Sequence, residues 1–155
     1  MANSRINEIE RLRGLMTEAK RADEARKAKE AAAEAARQRR WEDRRANLEG
    51  VLIQRVAEEI VLQLEGSARS MKNVATVRPQ EIALQCGESL RGSVVARDVS
   101  LARFYDEWLP GFVHTARFRN LLNRKMRRDY GLVGKETTGY DPDTREESAE
   151  LRFSW

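Results

Sequence analysis

The chain is poor in cysteine, histidine and proline and has no long apolar run, and each scarcity removes a class of protein. A single cysteine, Cys86, allows no disulfide within the chain, and nothing points to the oxidising setting of a secreted domain. One cysteine and one histidine, His114, do not furnish a zinc site of the usual kind without several carboxylates, so no metal and no cofactor is expected. No run of about 18 apolar residues occurs, so no membrane span is expected. The first residues scatter Arg5, Glu8, Glu10 and Arg11 among isolated Ile and Leu, unlike a signal peptide. The expected setting is intracellular, cytoplasmic or inside a virus particle, and not secreted.

Catalytic signatures are also missing. Gly87 to Gly92 resembles a nucleophile elbow only loosely, because its second glycine comes one place late and the preceding segment reads as helix. There is no phosphate-cradling glycine loop. Cys86 falls on the apolar face of its helix and reads as an inert core thiol. The carboxylate pairs Glu58–Glu59 and Glu146–Glu147 sit on polar surfaces beside arginines. The chain is therefore expected not to be an enzyme and to have no small-molecule substrate.

What is present is charge, unevenly distributed. Charged residues make up 35% of the chain and apolar residues 41%, so the core is modest and much of the chain is surface. Residues 1–49 hold 13 basic and 10 acidic side chains, residues 114–131 hold six and one, and residues 132–155 hold three and six. A basic block followed by an acidic tail suits either internal competition or two different partners.

Three segments follow: an Ala- and charge-rich helix projecting over 1–47, a compact helical unit over 48–131, and an extended acidic tail over 132–155. The fold class expected is all-α, a long N-terminal helix on a small bundle, with a possible short strand at the C-terminus. Helical periodicity runs from about Ser4 to Leu64 without a proline. Ile6, Ile9, Leu12 and Met16 make a short apolar stripe, a candidate docking face for a partner. From Thr17 to Arg40 alanine is the only apolar type, eight of them between Ala22 and Ala36. Such a stretch forms a rod of roughly 36 Å by its own helix propensity. It is either a solvated single helix or a helix approached closely by a partner. With Ile9 and Met16 as a positions the next two are Asp23 and Glu30, so a heptad seam fails after two repeats.

Leu48, Leu52, Val56, Ile60 and Leu64 form an i, i+4 line, with Gly66 the expected stop. A short extended piece is expected at Val74–Val77. A helix should begin at Pro79 and break at Gly92–Ser93, and another should begin after Asp98 and end at Pro110–Gly111. At the C-terminus Leu151, Phe153 and Trp155 alternate with polar residues, a strand signal. These three are expected to dock the tail, across its own domain or onto a neighbour.

The basic block reads as a helix over 114–130. At 100° per residue Phe118, Leu122, Met126 and Tyr130 share one face, while Arg117, Arg124 and Arg128 fall together on a flank with Arg127 beside them. Guanidiniums in a row suit phosphate oxygens, an acidic protein surface, or plain solvation of a helix that balances the acidic tail. The plan as a whole suits a structural subunit of a larger assembly, a homo-oligomer or a virion-like connector, scaffold or internal protein. The alternatives are a module that grips the DNA or RNA backbone through the arginine flank, and a small effector that blocks a partner protein.

Overall fold

The computed structural model describes residues 2–155, and the side chains of all of these except residues 2–5 and Asp141. In chain order the elements are α1 (Ala2–Arg69), β1 (Val74–Val77), α2 (Pro79–Arg97), a 3-10 turn (Val99–Leu101), α3 (Ala102–Val113), α4 (Ala116–Tyr130), β2 (Lys135–Asp141) and β3 (Glu146–Ser154). The fold is mostly helical and the long N-terminal helix is present, but all-α is only roughly right: three strands form an antiparallel sheet of order β1-β3-β2. The chain divides into two units, Met1–Glu42 and Asp43–Trp155.

The first unit is helix throughout its described length, and its surface is held by local pairs. Asp23 accepts from Arg26 at 2.6 Å and from Lys27 at 2.8 Å, and Arg37 reaches Glu34 at 2.7 Å. Lys27 and then Arg26 hold the Asp23 carboxyl below its usual range. Exposed pairs of this kind contribute only a few tenths of a kcal/mol each, so alanine propensity carries the rod. Ile6, Ile9, Leu12, Leu15 and Met16 are all exposed, at 50 to 60%.

The second unit holds the core. Leu48, Leu52, Val56, Ile60 and Leu64 are all buried, as their spacing requires, and Tyr105, Phe118 and Phe153 are the largest fully buried side chains. Three aromatics from α3 and one from α4 form a chain of ring contacts: Tyr105 edge-on to Trp108 at 5.4 Å, Trp108 stacked on Phe112 at 5.3 Å, and Phe112 edge-on to Phe118 at 5.6 Å.

Three expected helix ends move. Gly66 lies inside α1, which runs to Arg69 and closes in a Schellman turn: Met71 donates to Ala68 (2.9 Å), and Lys72 donates to Ser67 (3.0 Å). The left-handed residue there is Met71, at φ 59°, and not a glycine. Gly92 and Ser93 lie inside α2, and Pro110 lies inside α3. All three positions are exposed, so a missing side chain or N–H is tolerated there where the buried face supplies the stability. The α3–α4 corner is set instead by Thr115. Its hydroxyl donates to the Phe112 carbonyl at 2.6 Å and accepts from the Phe118 N–H at 3.2 Å. Gly131, at φ 65°, caps α4 in the left-handed conformation.

The last 24 residues are a hairpin, with β3 as the central strand of the sheet. Val77 faces Leu151 and Ala75 faces Phe153 across β1–β3, and Lys135 to Asp141 face Arg152 to Glu146 across β2–β3. The C-terminal alternation announced β3. It did not announce β2, whose KETTGYD is polar on both faces.

Candidate functional site

Phe118, Leu122 and Met126 of the expected core face of α4 are fully buried, whereas Tyr130, placed on the same face by its angle, is 38% exposed at the helix end. The arginine flank stands beside that face, but its members have different surroundings. Arg117 donates from Nη2 and Nε to Glu49 Oε2 at 3.0 and 3.2 Å, tying α4 to α1. Glu49 is only 8% exposed, so it depends on this guanidinium for compensation. Arg128 Nε reaches Asp129 at 2.9 Å, and Lys125 pairs with the same carboxyl. Lys125 and then Arg128 hold Asp129 below the ordinary carboxylate range. Arg124 and Arg127 are exposed and have no ion-pair partner among the described residues.

These side chains line two grooves. One, of 320 Å³ between α1 and α4, has Arg117, Arg124, Lys125 and Arg128 on one wall and Glu49 as its acid. The second, of 410 Å³, runs past Asn120, Asn123, Arg124 and Arg127. The buried Oδ1 of Asn123 accepts no hydrogen bond there. Arg124 is common to both, so the α4 surface offers its free cations across a shared ridge.

A third groove, of 350 Å³ between α1 and α2, has Arg44 and Arg97 with Arg55 and no carboxylate in its lining. None of the three has an ion pair among the described residues. The sequence reading missed this set, although Arg44 and Arg55 are eleven residues apart and so return to nearly the same helix face. The third member comes from α2, and no local pattern announces it.

The other expected contact residues separate. Leu151 and Phe153 are 3% and 0% exposed and are used by this chain's own core, while Trp155 is 47% exposed. Ile6, Ile9, Leu12 and Met16 remain on the surface of the first unit, joined by Leu15. His114 is the exposed C-cap of α3, and Cys86 is a half-buried thiol pushed up by desolvation and then by Glu59. Gly87 to Gly92 lies within α2, so Ser89 is a helix-surface residue. Among the described residues no three His, Cys, Asp or Glu stand together as a metal site, and no helix is long and apolar enough to cross a membrane.

Set against known protein families, curated proteins and solved structures, the chain matches none of them. Its fold and surfaces therefore stand on their own description: a mostly helical chain whose second unit closes with a three-stranded sheet and carries arginine-lined grooves.

Proposed function

We propose that the chain is a non-enzymatic assembly subunit, and that the N-terminal stretch of α1 is its contact with a neighbouring subunit. The observation that carries this reading is the stripe Ile6, Ile9, Leu12, Leu15 and Met16. Five large apolar side chains within eleven residues are each half exposed or more. Isolated apolar residues on a surface are ordinary, whereas a contiguous patch of them marks a place where another surface is excluded from water. A connector, scaffold or internal protein of a particle is the kind of component such a plan fits. The C-terminal alternation contributes less than expected, since of Leu151, Phe153 and Trp155 only Trp155 keeps much accessible surface.

A photo-crosslinking residue placed at Leu12 in expressing cells tests this. The expected result is a covalent adduct of higher mass from position 12, with much less from Met71, an isolated position that is 98% exposed. Equal yields from the two positions would overturn the reading.

A second reading has its own observation. Among the described residues Arg124 and Arg127 hold no carboxylate, and guanidiniums along a groove suit nucleic-acid phosphates. The variant that tests it is Arg124→Ala/Arg127→Ala. Arg117 is the wrong target, because its removal strands the buried Glu49 carboxylate and confounds binding with folding. Anisotropy against a nonspecific duplex should show binding at low salt whose log–log salt slope falls by about 2 in the double variant. No binding at low salt removes this reading.

A further inference from the structure

We infer that residues 6–22 pair in parallel and in register with the same residues of a second copy of this chain. The inference rests on the assembly reading above and names the partner for the same surface. With Ile9 and Met16 at a, the d positions are Leu12 and Ala19, and the apolar residues Ile6 and Leu15 fall at e and g. The b, c and f positions of residues 6–22 are Glu10, Thr17, Arg11, Glu18, Asn7, Gly14 and Arg21. Every large apolar side chain of the segment thus lies on one side, and every b, c and f position is free of them. Among the described residues nothing covers that side, since all five are exposed.

Two features favour a second copy in parallel over other occupants, and a third bounds the contact. In the first repeat Ile9 at a and Leu12 at d are the combination that, in a parallel coil, favours two strands. In that arrangement a g residue faces the e residue five places later in the partner, so Glu8 of each copy meets Arg13 of the other. Neither has an ion-pair partner among the described residues, and the pairing occurs twice by symmetry. The antiparallel alternative places Arg13 beside Arg13 and loses Glu8 to an alanine at the opposing g position, so charge opposes it. The third feature is the end of the seam. Asp23 takes the next a position and is already held by Arg26 and Lys27 of its own helix, which confines the contact to about 24 Å of α1.

Size sets the expected affinity. Five half-exposed side chains from each copy bury on the order of 1,000 Å² together, at the lower limit for a specific pair. A contact of this size is well short of an obligate dimer, and association on the order of micromolar is the expected result.

Sedimentation equilibrium on the full chain, from about 1 to about 100 µM, tests the inference. The expected result is a shift from one mass of 17.8 kDa to twice that value. Leu12→Lys should abolish the shift with helicity by circular dichroism unchanged, because position 12 is exposed. Glu8→Arg should weaken association about tenfold, and Glu8→Arg/Arg13→Glu should restore it. If Glu8→Arg leaves association unchanged, the parallel register is wrong. If association survives Leu12→Lys, this seam is not the contact. A chain that stays monomeric at the highest concentration overturns the second copy as occupant. The assembly reading then stands or falls separately, on whether the Leu12 crosslinker captures a different protein.

Discussion

Deletion of Ala149–Trp155 is expected to unfold the second unit instead of merely releasing a tail. The segment supplies most of the central strand of the sheet, so its loss takes from β1 its partner in every pair from Val74–Ser154 to Val77–Leu151. The pairs from Lys135–Arg152 to Thr138–Ala149 go with it. It also removes Leu151 and Phe153, at 3% and 0% exposure, and the N–H of Trp155 that donates to the Asn73 carbonyl at 3.1 Å. Emptying a buried leucine and a buried phenylalanine site costs about 2–5 and about 3–5 kcal/mol. Their sum is comparable to the roughly 5–15 kcal/mol by which whole domains are stable. Urea unfolding followed by tryptophan fluorescence should therefore show no cooperative transition for the truncated chain. Trp155→Ala, by contrast, should cost under about 1 kcal/mol because that ring keeps much of its surface in water. A truncated chain with an unchanged midpoint would contradict the placement of β3.

Tyr105→Ala should be nearly as damaging, at about 3–5 kcal/mol by analogy with other large aromatic truncations. The ring is fully buried edge-on to Trp108, and its hydroxyl donates to the Gly87 carbonyl at 2.6 Å. That bond joins α3 to α2 directly. A Cβ at position 87 would stand 2.5 Å from Leu109 Cδ2, so glycine leaves the space that the Leu109 side chain fills. Tyr105→Phe keeps the ring and loses only the bond, for about 1–2 kcal/mol. The hydroxyl also separates the parent chain from Tyr105→Phe by pH. Burial pushes the Tyr105 hydroxyl up to about 12 from an ordinary 10. The unfolded chain therefore ionises first as pH rises. The stabilisation from the neutral phenol is complete below pH 10 and is lost between 10 and 12. Denaturation midpoints measured across that window should fall more for the parent chain than for Tyr105→Phe. Equal slopes would show that the hydroxyl is not buried against Gly87.

Much of the helical plan was legible in the order of residues. The proline-free, alanine-rich start means a long helix because helix propensity and i, i+4 pairing act within a few residues. The i, i+4 line from Leu48 to Leu64 and the packed face of α4 are equally local, since one angle of 100° per residue places each side chain. The same arithmetic put Arg117, Arg124 and Arg128 on one flank, and the alternation of Leu151, Phe153 and Trp155 announced a strand. Helix ends were less legible. Gly66, Gly92 and Pro110 are breakers by propensity, yet each is overridden where the opposite helix face is packed.

Only the tertiary structure decided which strand lies in the middle of the sheet and which arginines are free. β2 has no apolar face to betray it, and it exists because β3 offers a hydrogen-bonding edge. Arg117 is neutralised by Glu49, 68 residues away, while Arg124, about two turns past Arg117 on the same helix, has no such partner among the described residues. The physical reason is the range of the forces involved. Backbone propensity and periodicity are properties of neighbours in sequence, so sequence reports them. Strand pairing, ion pairing and the covering of an apolar tail are properties of neighbours in space, and those are set only once the chain has folded.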